Sequence, residues 1–373
     1  MKILHLIDDL GIGGAQKLLS TFANEANKRD VQVTVVALSD RRPFSSVKTE
    51  LENSKAQVVI LKGRKVFTLS KLQEIVDLIQ HENFSIIHTH LMYANIIGNL
   101  IAFIFHKPVV TTLHNTLAKP NKSTGRLLQK IENFILQKLP ARIIAVGKIV
   151  AETHQPNLLR KLDIIPNATL PPRFIGDIER KKLRSHLPGD PDQPICIAIG
   201  RLHPQKGYFD LIEAFRLVNQ THPQATLLIV GDGVLQPDLT AEIQKMELEN
   251  SIHLLGIRDD VPSLLAAADI YVNASIWEGL PVSHLEAMTA GLPLVVTAVG
   301  DVPNIMINGI GILLPAKQPA EMAKALASIL DDQTLRISMG QKAKQHALNH
   351  YNPENWFQKH IDIYQQILGQ SRK

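Results

Sequence analysis

The sequence predicts an α/β protein of parallel, doubly wound sheets in two domains, and three observations carry that prediction. The chain opens as a βαβ unit. An apolar run, Lys2–Ile7, leads into a glycine-rich turn over 8–14, then a helix over 15–29 and a second strand over 31–38. Leu18, Leu19, Phe22, Ala23 and Ala26 fall on one face of that helix. Strands joined through a helix run parallel. The same alternation then repeats along the chain. Finally, the stretch 166–177 (PNATLPPRFIGD) is proline-rich and lacks periodicity, as an interdomain linker would. With 373 residues, 45% of them apolar, each part is long enough to bury its own core.

Composition excludes several classes. Cys196 is the single cysteine and sits in the apolar run ICIAIG, so no intramolecular disulfide exists and a small core residue is expected. Asp8 and Asp9 cut the first apolar run short of a signal-peptide core. The longest other run, Ile96 to Phe105, is about half a membrane span. A cytoplasmic protein is expected. The net charge of +5 is uneven: residues 1–140 hold 18 Lys or Arg against 11 Asp or Glu, a surplus of seven, and the remainder is slightly acidic. A basic first half points to an acidic partner or a membrane surface, with ordinary solubility charge as the competing account. Nothing indicates a nucleic-acid partner.

In the first half, strands are expected at 57–61, 84–88, 108–112, 142–146 and 162–165, with helices at 70–81, 93–105 and 123–139. The turn Gly11-Ile12-Gly13-Gly14-Ala15-Gln16 lacks the small residue that a dinucleotide fingerprint needs at position 16. No acidic residue ends the second strand before Asp40, so an NAD site is not expected. A loop whose backbone approaches a ligand closely fits better. His114 follows the 108–112 strand at its carboxyl end, where open α/β sheets bind ligands. His88 and His90 sit at the end of the preceding strand. The three histidines lack the helical H-x-x-x-H or cysteine spacing of a zinc site, and no metal is assigned.

The second domain is expected from about Gln193. A strand at 194–199 runs into Gly200-Arg201-Leu202-His203-Pro204-Gln205-Lys206-Gly207 and a helix over 208–219. Strands at 225–230 and 252–255 follow, the latter leading to Gly256-Ile257-Arg258. Two cations on one strand-to-helix loop suit a diphosphate, Arg as a planar fork and Lys as a point charge. The chain is organised around residues 269–304. Here a strand at 269–273, a loop through Glu278 and a helix over 281–290 precede a strand at 294–298. Proline suits a helix start, and the N–H groups of Val282 and Ser283 then offer an anion site at the positive end of the helix dipole. Glu286, eight residues after Glu278, lies about two turns on and can bind hydroxyls. The pair points to a ligand that is both sugar and diphosphate. A strand at 310–314 and helices at 318–331, 333–349 and 353–368 complete the chain.

The run E-G-L-P-V-S-H-L-E-A-M-T-A-G-L-P resembles the E-x(7)-E motif of family 4 retaining glycosyltransferases of the GT-B fold. The loop 200–207 is similar to that family's G-R-L-x(3)-K-G, the first turn to its G-G-A-E with Gln16 in place of the acid, and 166–168 to its P-N-G with Ala168 in place of glycine. The resemblance spans nearly the whole chain. It implies two Rossmann-like domains facing a central cleft: 1–166 with a C-terminal helix, 353–373, crossing back to it; a linker region over 167–192; and 193–352 for the donor. It implies that Glu286 binds ribose hydroxyls and Glu278 the donor sugar, and that Arg201, Lys206 and the amides of Val282 and Ser283 hold the diphosphate. Gly14, Leu280 and the nucleobase loop at Arg258 would line the donor, and His114 would touch the transferred sugar. The donor is then a UDP- or GDP-type sugar, with no further cofactor.

The chemistry so implied needs a stabilised leaving group more than a protein nucleophile. The acceptor hydroxyl attacks from the leaving-group side, a donor phosphate oxygen takes its proton, and configuration is retained. A divalent metal is not expected to be required. The acceptor is a sugar or a lipid-linked sugar, in polysaccharide or glycolipid synthesis. Two alternatives are a GT-B nucleotide-sugar epimerase, against which the E-x(7)-E and G-G-A patterns speak, and a non-catalytic subunit, against which the Arg201, Lys206, Glu278 and Glu286 set speaks. Between 107 and 148 the chain carries Lys107, Lys119, Lys122, Arg126, Lys130, Lys138, Arg142 and Lys148 against Glu132 alone. An anionic membrane under this segment, with peripheral attachment, is one account; a solvated helix with its apolar face on the sheet is the other.

Overall fold

The computed structural model describes residues 1–11, 13–40, 46–116, 123–154, 158, 162–172 and 175–370. It divides into two compact units, Met1–Ala168 with Pro353–Lys373, and Thr169–Asn352. The first is a seven-stranded parallel sheet in the order β3-β2-β1-β4-β5-β6-β7. Its strands are β1 (Lys2–Ile7), β2 (Gln32–Ala37), β3 (Gln57–Ile60), β4 (Ile86–His90), β5 (Val109–Leu113), β6 (Arg142–Ala145) and β7 (Leu162–Ile164). Between them run α1 (Gly14–Asn27), α2 (Ser46–Asn53), α3 (Leu69–His81), α4 (Met92–Ile104), α5 (Ser123–Lys138) and α6 (Lys148–Thr153). The central strands bury both faces, which is why LHLI, IIHTH and VVTTL read as unbroken runs rather than alternations.

The second unit opens with α7 (Asp177–Arg184). Its parallel sheet, β10-β9-β8-β11-β12-β13, uses β8 (Ile195–Ile199), β9 (Thr226–Val230), β10 (Ile252–Gly256), β11 (Ile270–Asn273), β12 (Leu294–Thr297) and β13 (Gly311–Leu314). Its helices are α8 (Tyr208–Asn219), α9 (Gln236–Lys245), α10 (Val261–Ala267), α11 (Val282–Ala290), α12 (Val302–Ile305), α13 (Pro319–Asp331) and α14 (Gln333–His350). The last helix, α15 (Pro353–Gln370), belongs to the first unit. Its Phe357 and Tyr364 rings pack on Phe22 of α1.

Both sheets reverse their winding once, between β1 and β4 and between β8 and β11. At such switch points the loops at the strands' carboxyl ends part and leave a ligand crevice. The sequence puts its glycine-rich turn after β1, GRLHPQKG after β8 and the Glu278 loop after β11, so each unit carries its motif loops at its own switch point.

Several expectations need correction. Residues 177–184, expected inside a linker, form α7 of the second unit. Arg180 and Arg184 reach from α7 to the carboxylate of Asp269, at 2.7 and 2.9 Å, and to the carbonyls of Ala267 and Ala268. A helix fastened by its arginines has no apolar stripe for periodicity to reveal. Helix α11 begins at Val282, with Pro281 as its N-cap residue rather than its first turn. The strand expected to end at His88 runs on, so that His90 also lies within β4. Helix α5 turns apolar side chains both ways: Ile135 and Leu136 are buried, while Leu127, Ile131 and Phe134 face solvent. Ile12, Lys119 and Lys122 fall outside the described residues.

Burial of histidine sets an acid limit. Burial pushes His284 in the second unit down to about 3, with Lys206 adding to the shift. An unfolded histidine binds its proton near 6.5, so this contribution is intact above that pH and is lost as pH falls towards 3. At pH 5 the loss amounts to about 2 kcal/mol. In the first unit burial lowers His5 to about 3 and His360 to about 4. It raises Asp8 to about 7, which works in the opposite sense as pH falls. We predict that melting temperature falls between pH 7 and pH 5, and that His284→Leu narrows the fall. A pH-independent melt over that range, in wild type, contradicts the assignment.

Candidate donor site and its histidine-rich counterpart

The second unit assembles its candidate residues at the ends of β8 and β11. Leu202 is fully buried and anchors the loop after β8. A short 3₁₀ turn, Pro204–Lys206, then reverses the chain, and Gly207 starts α8 at φ 62°. A Cβ at Gly207 would lie 2.1 Å from the carbonyl oxygen of Ala274, so both conformation and contact require glycine. This close approach brings Lys206 against the β11 loop. Its Nζ lies 2.5 Å from Oε1 of Glu278, which also accepts from Ser275 Oγ at 2.6 Å. Gln205 Nε2 donates to Glu278 Oε2 at 3.4 Å and to the Trp277 carbonyl at 2.9 Å.

The Glu278 residue is 4% exposed and the Lys206 side chain 12%. Lys206 is therefore not a solvent-facing loop cation. Arg201 does lie exposed. The pair makes Lys206 both a candidate phosphate ligand and the countercharge of a buried carboxylate.

Helix α11 carries the other candidates. No side chain caps its start, because the cap residue is proline. Val282 and Leu280 are buried, and Ser283 is partly exposed with its Oγ accepting from Tyr271 Oη at 2.9 Å. The Tyr271 oxygen also meets His284 Nδ1 at 3.2 Å, so His284, where the family pattern has an apolar residue, is a packed and hydrogen-bonded core group. Glu286 is partly exposed one turn into the helix. Arg258 commits one edge of its guanidinium to Asp260, with both nitrogen–oxygen distances 2.7 Å.

In the first unit, Gly14 is exposed as the first residue of α1. Gln16, beside it, is buried and donates to the Asp9 carbonyl and carboxylate at 3.2 and 3.3 Å. A glutamate at 16 would set two carboxylates together, so the departure from G-G-A-E matches Asp9. Around the ends of β1, β4 and β5 lies a group that sequence reading only half found: His5, His88, His90, His114 and His360. His88 is held by Tyr364 Oη at 2.5 Å and Thr112 Oγ1 at 2.7 Å. His5, His88 and His90 bring ligand atoms within 4.8 Å of one another, but both His88 nitrogens are already engaged. The cavity these histidines line measures about 10 Å³, room for one water and not for a sugar. The H-x-H spacing on a strand signals two side chains on one face. The contributions of His5 and His360 arise only from tertiary pairing.

The fold and these loops define the class. Residues 12–169 match the family model "Glycosyltransferase Family 4", and residues 179–346 match "Glycosyl transferases group 1". The chain belongs to this family of GT-B glycosyltransferases and is a nucleotide-sugar-dependent transferase. Among characterised relatives, it is 29% identical over 306 residues to the UDP-Gal:α-D-GlcNAc-diphosphoundecaprenol α-1,3-galactosyltransferase of Escherichia coli, covering 79% of each chain. It is 25% identical to N-acetyl-α-D-glucosaminyl L-malate synthase of Bacillus anthracis, covering 81% of this chain and 80% of that one. The crystal structure of Anabaena HepE in complex with UDP and glucose superposes with a TM-score of 0.84 at 22% identity, over 98% of this chain and all of the other.

The buried ion pair separates two roles that the sequence ran together. Lys206→Ala should both destabilise and inactivate, because it strands the Glu278 carboxylate; the cost of breaking a buried pair is roughly 3–5 kcal/mol. Arg201→Ala should leave the melt unchanged and cut turnover by roughly two orders of magnitude. Thermal melts beside initial rates decide it: equal melts for the two variants would remove the structural role of Lys206.

Proposed function

We propose that the protein is a retaining hexosyltransferase that moves a sugar from a UDP-sugar onto a lipid-linked acceptor at an anionic membrane surface. The second unit holds the donor. Arg201, Lys206 and the amides of Val282 and Ser283 neutralise the departing diphosphate, while Glu286 binds ribose hydroxyls and Glu278 the sugar. Leu280 and the Arg258 loop line the donor in the second unit, and Gly14 and His114 are the first unit's candidates for ligand contact. Breaking the anomeric bond leaves negative charge on diphosphate and positive charge on the sugar. Fixed cations and a helix start favour that separation without reorganising. The acceptor oxygen bonds to the anomeric carbon on the side the diphosphate leaves, and its proton passes to a donor phosphate oxygen. The relatives that name a uridine donor support the UDP reading.

The outward face of α5 carries the acceptor reading. Leu127 is 60% exposed and Phe134 64%, with Ile131 beside them; Arg126, Lys130 and Lys138 interleave on the same exposed arc, and no acid does. Helix α4 lies alongside, joined where Asn95 Nδ2 donates to Glu132 Oε1 at 2.7 Å. Its C-terminal turn exposes Leu100, Phe103 and Ile104. A solvated helix has no reason to turn phenylalanine and leucine outward among lysines; an interfacial helix does. The Escherichia coli relative acts on a diphosphoundecaprenol-linked sugar, an acceptor that resides in such a surface. Among the described residues no helix is long and apolar enough to cross a membrane, so attachment would be peripheral.

Vesicles rich in phosphatidylglycerol should therefore sediment the protein at low salt, and phosphatidylcholine vesicles should do so less well. Arg126→Ser with Lys130→Ser should weaken binding by about 2 kcal/mol, roughly 30-fold, since each cation contributes about 1 kcal/mol. Leu127→Ser with Phe134→Ser should weaken it at any salt, and both variants should keep activity on a short soluble acceptor. Wild-type indifference to anionic vesicles would point to a soluble acceptor instead. Proton NMR of the product should show the donor's anomeric configuration; an inverted linkage would exclude same-side attack.

A further inference from the structure

Three of the buried histidines are joined end to end. His5 Nδ1 lies 3.0 Å from His90 Nε2, and His90 Nδ1 lies 3.1 Å from His114 Nε2. The His5 and His90 rings are within 18° of coplanar with centroids 5.2 Å apart, and the His90 and His114 centroids are 5.3 Å apart. These separations exceed the nitrogen–nitrogen distances by little more than two ring radii. The contacts are thus in-line hydrogen bonds between ring edges, not stacks. At one end His5 Nε2 is buried with no partner among the described residues. At the other, His114 is partly exposed at the carboxyl end of β5, and none of its described contacts uses Nδ1.

Proton counting makes the three rings one unit. Burial holds His5, His90 and His114 well below the usual histidine range, so each is neutral and carries one proton. Each of the two bonds uses one proton, and the third must sit at one end of the chain. Only two arrangements exist, and they interconvert only if all three rings change tautomer together. If His5 carries its proton on Nε2, then His90 and His114 are also Nε2–H, and His114 Nδ1 is a bare lone pair. In the reverse arrangement His114 Nδ1 is a donor and the lone pair is buried at His5. The basic nitrogen of imidazole is its stronger hydrogen-bonding group, so leaving it unpartnered in the core costs more than leaving an N–H there. His5 also packs at 62° to Phe22, an aromatic wall that tolerates an N–H edge better than a lone pair. The first arrangement wins.

We propose that His5 and His90 are positioning residues that lock the tautomer of His114, so that His114 Nδ1 accepts a hydrogen bond from a ligand hydroxyl. That the hydroxyl belongs to the transferred sugar rests on the function proposed above. The relay explains why a strand core should hold imidazoles: aliphatic replacements would pack equally well and leave His114 free to flip. The two other histidines around it do not compete for these bonds. His88 is satisfied by Tyr364 and Thr112, and His360 Nδ1 meets the Trp356 carbonyl at 2.9 Å.

The test is a long-range ¹H–¹⁵N correlation spectrum of the full chain labelled with ¹⁵N-histidine, at neutral pH. His5, His90 and His114 should all report Nε2–H with unprotonated Nδ1. An Nδ1–H signal at His90 or His114 overturns the relay, as does metal analysis finding a zinc ion on His5, His88 and His90, which would occupy the same lone pairs. His5→Phe removes the terminal acceptor, so His90 and His114 should become tautomer mixtures and turnover should fall roughly 10- to 100-fold, the scale for a partner that orients a working histidine. His5→Asn, which retains an acceptor oxygen, should restore the single tautomer and most of the rate. If His5→Phe melts like wild type and still shows one tautomer at His114, the relay is wrong. A separate titration with a panel of UDP-sugars should shift His114 Nδ1. A relay spectrum as stated with no such shift keeps the relay and removes only the sugar contact.

Discussion

The second unit depends on one contact, the buried pair between Lys206 and Glu278. The two residues belong to different strand ends, after β8 and after β11, where the winding of the sheet reverses. A parallel sheet lets the loops part at that point; the ion pair, with Ser275 and Gln205 on the same carboxylate, ties them back together. It does so with the same charges a nucleotide-sugar site requires. Burying two ions is expensive unless each is fully hydrogen-bonded, and a buried pair adds little stability compared with apolar packing. Its presence here is better explained by what it presents: a cation fixed in place at the switch point of this sheet. For the diphosphate departure proposed above, preorganised charge of this kind is effective because nothing has to move.

The first unit solves a different electrostatic problem. Its switch point holds imidazoles instead of an ion pair, and burial keeps them neutral. Neutral rings can still carry direction, because each has one donor and one acceptor edge. An acidic partner would have drawn the cluster into a charged state. The Gln16 side chain, where related sequences have an acid, donates to Asp9 and adds no charge to this end of the sheet.

Legibility followed whether a feature was local. The E-x(7)-E run and GRLHPQKG were readable because glycine, proline and charge at fixed spacing specify loop and helix start by themselves. The φ of 62° at Gly207 is of that kind. The burial of Lys206 was not readable, since its partner is 72 residues away. The α7 helix was hidden because its polar face is the buried one, satisfied by Asp269. His88 and His90 could be placed on one strand face from their spacing, but His5 and His360 join them only through β1 pairing and α15 docking. In α5 helical spacing alone does not show that the apolar positions make two stripes: Leu128 and Ile135 turn inward, Leu127, Ile131 and Phe134 outward.

That second stripe changes the meaning of the charge asymmetry. A surplus of cations alone attracts any polyanion and is screened within about 10 Å at 0.1 M salt. Apolar side chains alone would invite self-association. Interleaved on one arc, they suit the acidic bilayer proposed above, which is anionic outside and apolar just beneath at the depth of a side chain. The single acid in the segment, Glu132, does not break the arc, because it turns away to meet Asn95 of α4. The composition of α5 therefore makes sense residue by residue: Ile135 and Leu136 are buried, Glu132 ties the helix to α4, and the outward face suits the membrane surface proposed above.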